Sequence, residues 1–497
     1  MARHAIPDSV DFVGEWFLPI EGENSKQIPG TLSWSSGRAL LQLNDAFTPL
    51  RGPFFGDEEH HYQAIHGTTT NNNIVSVLRA LRTGTHINFG QAGFRESERL
   101  ISSWVIVGAH VAPQTRYSEI RFRIPGLQIW LGRSGVRQTI LPKTENSPAG
   151  VIYQIDGLAE ETTSIPCLNM AIGWGIDRNF SGDLITDITV KTSACLRIKP
   201  HEPQNIDWFL TQLSKASTLL AFISGTPMAP DHVSAIVADT GQEVEILVAL
   251  REAKCCTFSR EWDFFMLRPD MVSDMADIFI RWFEIYDSIA MPSQLALSVL
   301  SSEKLWLHVE FLSLMQALEG FHRATTPGLY VTEEQYEPIH QALSNAIPKF
   351  VRKDHREALK SRIRYGNEVS LRKRLDALVS RLELPLRKRI LGGNGSMPRS
   401  WVVTRNYYTH WDEASRASTL DGPDMHRAAA RMKTLLRALY LDLAGVPQSA
   451  IENSLKNACK ESQYLIQLNS AEMRKKNPES EYGVMMRVDV KDAESPQ

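Results

Sequence analysis

The residues best suited to chemistry stand close together in the C-terminal part of the chain, at Arg405, Asn406 and His410. An imidazole has an unperturbed pKa of ~6.5, so a histidine can take or give a proton near pH 7. A guanidinium stays charged and binds phosphate oxygens through a fork of hydrogen bonds. Together these groups could cleave an RNA phosphodiester by activating its own 2′-hydroxyl, a reaction that requires no metal ion.

The local sequence predicts that these residues lie near the start of a helix. The β-branched run Val402–Val403 favours an extended approach, and Thr404 is predicted to be the N-cap, which places Arg405 in the first turn. Anions are favoured at that end of a helix. Asn406 and His410 are four residues apart and therefore share a face, with Arg405 beside it. All three are expected to border one phosphate-sized site.

The spacing alone is weak evidence, because Arg79 and His86 show a similar one in a stretch predicted to be strand and turn. The sequence RNYYTHWD, however, resembles the RNxxxH motif of the HEPN ribonuclease superfamily. Three neighbouring segments, Phe311–Arg323, Val331–Pro348 and Tyr365–Leu382, are similar to the ApeA-type HEPN domain. The resemblance covers roughly residues 301–468, and the first part of the chain resembles the ApeA N-terminal domain.

The resemblance implies an endoribonuclease that acts in abortive-infection defence against phage, with a dimeric active site and structured RNA, tRNA first, as substrate. His410 would act as general base or acid, Arg405 would stabilise the dianionic phosphorane, and Asn406 would orient phosphate or His410. The products would be a 2′,3′-cyclic phosphate and a 5′-hydroxyl. Glu319 is also expected near the Arg/His pair, although an ordinary surface glutamate explains it equally well.

Positive charge is concentrated in one segment. From Lys349 to Arg389, 14 Lys and Arg stand against 5 Asp and Glu, a local charge of +9, so the remainder of a chain with net charge −3 carries −12. This segregation suits a protein that meets polyanions on one face. A solvated helix face is the alternative. Tyr407 or Tyr408 could stack on a base, although either is at least as well explained as a core residue. The candidate RNA-binding residues are Arg372, Lys373, Arg374, Arg387, Lys388, Arg389 and Tyr407.

The length of 497 residues favours two or three domains in an α+β arrangement. Residues 1–300 are predicted to form a β-rich, sandwich-like region, with strands over 1–200 and a mixed α/β segment over 201–300. Residues 301–470 are predicted to be the all-α HEPN helical bundle, and 471–497 a charged, disordered tail. The N-terminal region is expected to sense or regulate, with a phage-derived trigger as its partner.

Other features exclude several protein classes. The five cysteines are scattered without a CxxC pair, which favours a reduced compartment over a zinc site. The segment Asp57–His61 has metal-ligand residue types, but contiguous spacing is more typical of a solvated loop. We expect no metal and no other cofactor. No apolar run approaches ~18 residues, so a cytoplasmic location without membrane contact is expected.

Two other functions remain open. The helical domain could be a degenerate RNA-binding or dimerisation module, with a ligand-binding β-domain as the working part; the presence of both Arg405 and His410 argues against this. A carbohydrate-binding β-domain would rest on Trp16, Trp34, Trp104 and Trp130, residues of a kind that usually belongs to a core. Walker A, GxGxxG and GxSxG motifs are lacking, which removes the usual grounds for nucleotide or α/β-hydrolase chemistry.

Overall fold

The chain divides into two units in the computed structural model, residues 1–290 with 443–446 and residues 291–442 with 447–497. The division between residues 290 and 291 falls within one helix, Met275–Leu300. The boundary predicted at residue 300 lies at the end of that helix. The structure describes residues 9–19, 26–47, 61–90, 93–132, 136–143, 149–155, 160–183, 187–225, 227–248, 260–271, 274–302, 304–411, 413–456 and 460–476.

The first unit is built on one 13-stranded sheet and a separate two-stranded hairpin. Every strand pairing within the sheet is antiparallel. The strands are β1 (Ser9–Phe17), β2 (Ile28–Ser35), β3 (Arg38–Leu43), β4 (His61–Thr69), β5 (Ile74–Gly90), β6 (Gly93–Ser102), β7 (Trp104–Val107), β8 (Tyr117–Arg123), β9 (Val136–Leu141), β10 (Gly150–Ile155), β11 (Glu161–Ile165), β12 (Met170–Asp183), β13 (Asp187–Pro200), β14 (His232–Val237) and β15 (Glu243–Val248).

Part of this sheet closes into a barrel. The strands β5, β4, β1, β2, β3 and β6 pair in that order, and β6 pairs again with β5. The alternating apolar residues point into the barrel, where Trp16, Leu32, Trp34 and Val75 are buried. The predicted α+β class is confirmed, whereas the sandwich-like region is in fact a closed barrel that continues into an open sheet.

Closure depends on the length of β5, which has 17 residues. Its residues 74–81 pair with β4 and residues 75–78 also pair with β7, whereas residues 81–90 pair with β6. A register shift between Arg82 and Gly84 interrupts the pairing with β6. One strand therefore belongs both to the barrel and to the open part, made of β7, β15, β14, β8, β13, β12 and β11.

Helices cover the open part of the sheet in the first unit. Trp130 contacts Trp174 of β12 edge to face, and Trp174 contacts Phe279 with ring centroids 5.5 Å apart. The indole of Trp282 donates a 2.8 Å hydrogen bond to the carbonyl of Lys215. The helices that contain these residues are α1 (Leu127–Leu131), α2 (Ile206–Ser224) and α3 (Met275–Leu300).

The second unit is helical, as the resemblance implied. A stripe at three- and four-residue spacing on the first helix, Phe311, Leu314, Leu318 and Phe321, is fully buried, and Phe321 contacts Tyr440 edge to face at 4.8 Å. The helices are α4 (Leu307–Thr325), α5 (Glu333–Asn345), α6 (Lys353–Arg364), α7 (Leu371–Arg381), α8 (Leu384–Leu391), α9 (Arg399–His410), α10 (Gly422–Leu443), α11 (Gln448–Ser454) and α12 (Lys460–Lys476).

Two further findings concern the predicted C-terminal tail and the possibility of a membrane-spanning helix. The tail predicted over residues 471–497 is corrected for its first part, because α12 continues to residue 476; residues 477–497 lie outside the described residues. Among the described helices, none combines the length and the apolar content that a membrane span requires.

Candidate active site

The helix that carries the motif begins earlier than predicted. Pro398 is the N-cap of α9, and Thr404 lies in the middle of the helix, so the N-cap prediction for Thr404 is wrong. Thr404 is completely buried, and its Oγ1 accepts a 2.9 Å hydrogen bond from the backbone N–H of Leu420. Burial of Trp401 and Thr404 explains why a helix forms through β-branched residues, since packing overrides weak propensity.

This shift changes the electrostatics of the motif. His410 is the last residue of α9, so the motif occupies the C-terminal half of the helix. That end of a helix dipole favours positive charge, the opposite of the anion-favouring end that was predicted. A phosphate at the motif must therefore be bound by side chains.

Arg405 contacts two of the predicted site residues. Its Nη1 donates a 3.3 Å hydrogen bond to Oδ1 of Asn406, and its Nη2 lies 3.6 Å from Oε2 of Glu319 on α4. The Arg405 side chain is 29% exposed and that of Glu319 20%, so solvent reaches both. The structure thus brings Arg405, Asn406 and Glu319 together within one protomer.

His410 lies beside this group and does not touch it. A residue five positions along an α-helix lies about 140° around the axis and about 7.5 Å along it, so Arg405 and His410 do not share a face. Asn406 and His410 are one turn apart, and both are exposed. In the part of the chain that the structure describes, no hydrogen bond holds the His410 imidazole. It is free to approach a substrate.

A cavity of about 490 Å³ adjoins the Arg405 guanidinium. It lies between α4 and α9, with the Arg405 and Glu319 side chains at its wall. Its volume is in the range of small-molecule sites and could accommodate a nucleotide. The lining residues are Leu312, Gln316, Glu319, Gly320, Arg323, Arg405 and Thr409.

A chain of ion pairs leads from this cavity into the helical core. Arg323 donates from Nε to Oε1 of Glu319 at 3.1 Å, and its Nη1 lies 2.7 Å from Oε2 of Glu368. The same Glu368 oxygen accepts from Nη2 of Arg374 at 2.9 Å. With Arg405 this makes three guanidinium groups and two carboxylates, a net charge of +1 by that count. One bound phosphate anion would balance that excess.

Arg323 was not predicted from the sequence. Burial lowers the pKa of its guanidinium, but hydrogen bonds to Glu368 and Glu319 outweigh that effect and the net shift is upward, so the charge is permanent. Its four-residue spacing from Glu319 on one helix was a usable signal for an ion pair. Glu368 carried no such signal, because it is distant from Glu319 in sequence and comes near it only through folding.

Arg374 requires a correction to the predicted RNA-binding set. Its side chain is 2% exposed. Its Nε donates to the carbonyl of Val369 at 3.1 Å, its Nη2 bonds Glu368, and its Nη1 lies 3.2 Å from Nδ1 of His322. A guanidinium used in this way inside the domain cannot contact RNA. Its role is to join α4 to α7.

His322 is buried beside Arg374 on α4. Burial lowers the pKa of this imidazole, and the positive charges of Arg374 and Arg323 lower it further. The ring is therefore neutral at pH 7, and its Nδ1 can accept the hydrogen bond from Arg374. His322 lies one helical turn from Glu319 on α4, but its contact with Arg374 stabilises the packing of α4 against α7.

The remaining basic candidates lie at the surface of α7 and α8. Arg372 bonds Asp376 at 2.8 Å, one turn along α7. Lys373 is exposed, with its Nζ 4.4 Å from the centroid of the Tyr330 ring. The Arg372 side chain is 37% exposed, and an exposed ion pair of this kind is weak, so it would not prevent Arg372 from binding a phosphate.

On α8, Lys388 is exposed, while Arg387 and Arg389 are half-buried. Nη2 of Arg389 lies 3.5 Å from Oε1 of Glu452. Lys388 is therefore the most accessible of the three basic residues on this helix.

Tyr407 is half-buried and belongs to a cluster of rings. Its ring centroid lies 5.3 Å from that of Tyr408 and 5.9 Å from that of Trp411. The structure places the tyrosine beside the motif, with part of its ring exposed.

The structure also bears on the tryptophans and the possible metal ligands that the sequence singled out. Trp16, Trp34 and Trp130 are buried, so they are core residues and give no support to a carbohydrate site. Of the segment Asp57–His61, only His61 is described, at the start of β4; the others lie outside the described residues. The described residues hold no group of three or more His, Cys, Asp or Glu arranged to bind a metal.

Comparison with known families agrees with this architecture. Residues 11–282 match the family described as ApeA N-terminal domain 1, and residues 312–450 match Apea-like HEPN. Searches of curated proteins and of solved structures gave no match. HEPN domains are generally ribonucleases, and the second match spans Glu319, Arg405, Asn406 and His410. The chain therefore belongs to the ApeA family, with an ApeA N-terminal domain followed by an Apea-like HEPN domain of the ribonuclease type.

Proposed function

We propose that this protein is a metal-independent endoribonuclease that cleaves structured RNA, tRNA first, in abortive-infection defence against phage. The observation that carries the proposal is the position of Arg405. It lies at a cavity between two helices, is oriented by Glu319 and Asn406, and has the exposed His410 at the end of the same helix. The protein would act in the cytoplasm, where tRNA is found.

In this mechanism, the phosphate of the scissile nucleotide lies against Arg405. The 2′-oxygen attacks phosphorus as His410 takes its proton, and the P–O5′ bond breaks as the leaving oxygen receives a proton from a second, protonated histidine, which a dimer would supply. Arg405 stabilises the negative charge that develops on the equatorial oxygens. The products are a 2′,3′-cyclic phosphate and a 5′-hydroxyl.

Glu319 would act as a positioning residue. It accepts hydrogen bonds from Arg323 and lies 3.6 Å from Arg405, so it holds two cations at one side of the cavity. Oδ1 of Asn406 accepts a hydrogen bond from Nη1 of Arg405, and its amide NH2 group would orient a phosphate oxygen.

A homodimer would complete this site. Cleavage needs one proton acceptor and one proton donor, and each motif has a single histidine. If two motif helices faced each other across one RNA cleft, they would supply two histidines and two arginines. The separation of Arg405 and His410 around α9 supports such sharing, because within one protomer the two groups do not converge.

Accessible basic residues would guide the RNA toward the site. Arg372, Lys373, Arg387, Lys388 and Arg389 lie on α7 and α8, where they could contact the phosphate backbone. Contacts of this kind give affinity without sequence preference, and they weaken as salt rises. Tyr407 would add a stacking surface beside the motif.

The N-terminal region would sense a phage-derived trigger and regulate the nuclease. On the outer surface of its barrel, an open cleft of about 480 Å³ lies among residues of β1, β2 and β4. A cleft of that size supports binding of a small ligand. The rival proposal is that this ligand-binding function is the whole activity, with the helical domain as a non-catalytic RNA-binding or dimerisation module.

Incubating the purified protein with total tRNA in EDTA, and then mapping the new ends, tests the proposal. We expect cleavage to persist and every new pair of ends to carry a 2′,3′-cyclic phosphate and a 5′-hydroxyl, because histidine and arginine supply the chemistry. Loss of cleavage in EDTA with recovery in Mg²⁺ would rule out the mechanism. RNA binding without cleavage under any condition would favour the non-catalytic module.

A further inference from the structure

Trp411 is a large aromatic residue in an unusual position. It directly follows His410, its side chain is 68% exposed, and its backbone is left-handed with φ of 54°. This C-terminal position of a helix usually holds glycine or asparagine, because a bulky side chain is strained there. A strained and exposed tryptophan beside a candidate catalytic histidine calls for a functional explanation.

Two tyrosines hold the Trp411 ring in place. Its centroid lies 5.9 Å from that of Tyr407 at an interplanar angle of 61°, and 6.2 Å from that of Tyr408 at 72°. Both are edge-to-face contacts, which fix the orientation of the indole. Behind them, Tyr408 stacks with His308 at 6.1 Å and 16°. The exposed indole is therefore pre-oriented without being enclosed.

The neighbours of Trp411 on α9 favour a small aromatic ligand over a protein surface. The nearest exposed residues on α9 are Asn406, Thr409 and His410, all polar. A protein interface normally has a larger apolar centre. A nucleobase, by contrast, offers a flat face of about the size of an indole. The nucleotide that contains it also has a phosphate that Arg405 could bind.

We propose that Trp411, held by Tyr407 and Tyr408, stacks on one unpaired nucleobase next to the scissile phosphate. This inference rests on the proposed nuclease function and deepens it by naming the residue that selects the cleavage position. Both faces of a base inside a duplex are already stacked, whereas a base in a loop or bulge has a free face. The enzyme therefore cleaves at unpaired nucleotides of a folded RNA and not within its stems.

The test uses the stem-loop around the first cleavage site mapped in total tRNA, with Trp411→Gly as the main variant. Glycine accepts the left-handed backbone, so the variant should fold, with a melting temperature close to that of wild type. We expect KM to rise about 5- to 100-fold with little change in kcat. Trp411→Phe should recover part of the loss.

The matched control is Trp306→Gly, which removes another exposed tryptophan, at the N-cap of α4, where glycine is also tolerated. It should leave KM unchanged. An abasic nucleotide beside the scissile phosphate should raise the wild-type KM by the same factor and add nothing to the effect of Trp411→Gly.

Three outcomes would overturn the inference. The first is an unchanged KM for Trp411→Gly, and the second is an equal rise in KM for the two tryptophan variants. The third is a rise in KM that accompanies dissociation of the dimer in sedimentation, because the ring would then be a contact between protomers. Failure of the proposed function is distinguishable: in that case His410→Ala would cleave as well as wild type. If His410→Ala is inactive and Trp411→Gly is normal, only the stacking inference fails.

Discussion

At the scale of single residues, Arg405 is the best-supported member of the site. Its guanidinium is held at a cavity by two partners that the sequence had selected, Glu319 and Asn406. Sequence reasoning found these residues because the motif and the resemblance point to them. It missed Arg323, which pairs with Glu319 one turn away on α4, and Glu368, which joins Arg323 from a distant segment.

We expect Glu319→Gln to lower kcat by up to about 100-fold, because a misplacement of about 1 Å in a reacting group has costs of that order. The variant keeps an oxygen that can accept hydrogen bonds, but it removes the charge that holds Arg405. KM should stay constant or fall, since one negative charge is lost at an RNA-binding cavity.

The control for this prediction is Glu310→Gln on the same helix, whose partner is Lys433. Steady-state kinetics on the mapped stem-loop give both parameters. Identical behaviour of the two variants, or a rise in KM alone, would mean that Glu319 does not position Arg405.

At the scale of elements, the contrast between α4 and α9 shows what sequence patterns can predict. The buried apolar stripe of α4 is accessible to sequence reasoning, because its four-residue and three-residue spacing depends only on local periodicity. The start of α9 was predicted wrongly, because burial of Trp401 and Thr404, and a hydrogen bond from Leu420 to Thr404, hold the segment around Val402–Val403 in a helix. Burial of this kind depends on contacts across the fold.

Arg374 illustrates the same limit in a side chain. A run of three basic residues, 372–374, suggests one cationic surface, but successive residues on a helix point in different directions. Arg374 faces inward and joins α7 to α4 through Glu368 and His322. Net charge along a segment therefore overstates the charge that RNA can reach.

The pairing of His322 with Arg374 predicts a pH dependence of stability. The pKa of His322 is lowered in the folded protein, so in acid the unfolded chain binds more protons than the folded one. The free energy of unfolding should therefore be highest above the unfolded pKa of about 6.5 and should fall as pH decreases below it. Protonation would also remove the acceptor that Arg374 uses.

Denaturant unfolding of wild type and His322→Asn between pH 7.5 and 5.5 checks this. Asparagine keeps an acceptor near the position of Nδ1 but does not titrate, so its pH dependence should be weaker. The pH dependence of the free energy of unfolding must be compared between variant and wild type, because His66 and His232 also have lowered pKa values and contribute to it in both proteins. An exposed histidine, His426, gives the control variant His426→Asn. Equal slopes for His322→Asn and wild type would refute the assignment.

At the scale of the whole molecule, the order of strands was beyond sequence reasoning. Alternating residues predict strands with one buried face, and both sandwiches and barrels have such faces. The length of β5 decides between them here, because one strand pairs with β4, β6 and β7. The division into a β-rich and a helical part was accessible, since the apolar period changes along the chain.

The proposed dimer makes a prediction about mixed assemblies. If one protomer supplies arginine and the other histidine, a heterodimer of Arg405→Ala and His410→Ala retains one intact pair. Co-expression of the two inactive variants should then restore part of the cleavage. No restoration in verified heterodimers would mean that each chain must supply both groups, and full activity of a monomer would exclude a shared site.

The central claim is that the Arg405–His410 motif cleaves RNA, and the most direct test is the cleavage rate of His410→Ala on total tRNA. We predict a loss of about 10²- to 10⁴-fold with RNA binding nearly intact, because a general acid or base acts in the transition state. His426→Ala should cleave like wild type. Cleavage by His410→Ala at the wild-type rate, at the same mapped positions, would contradict the claim.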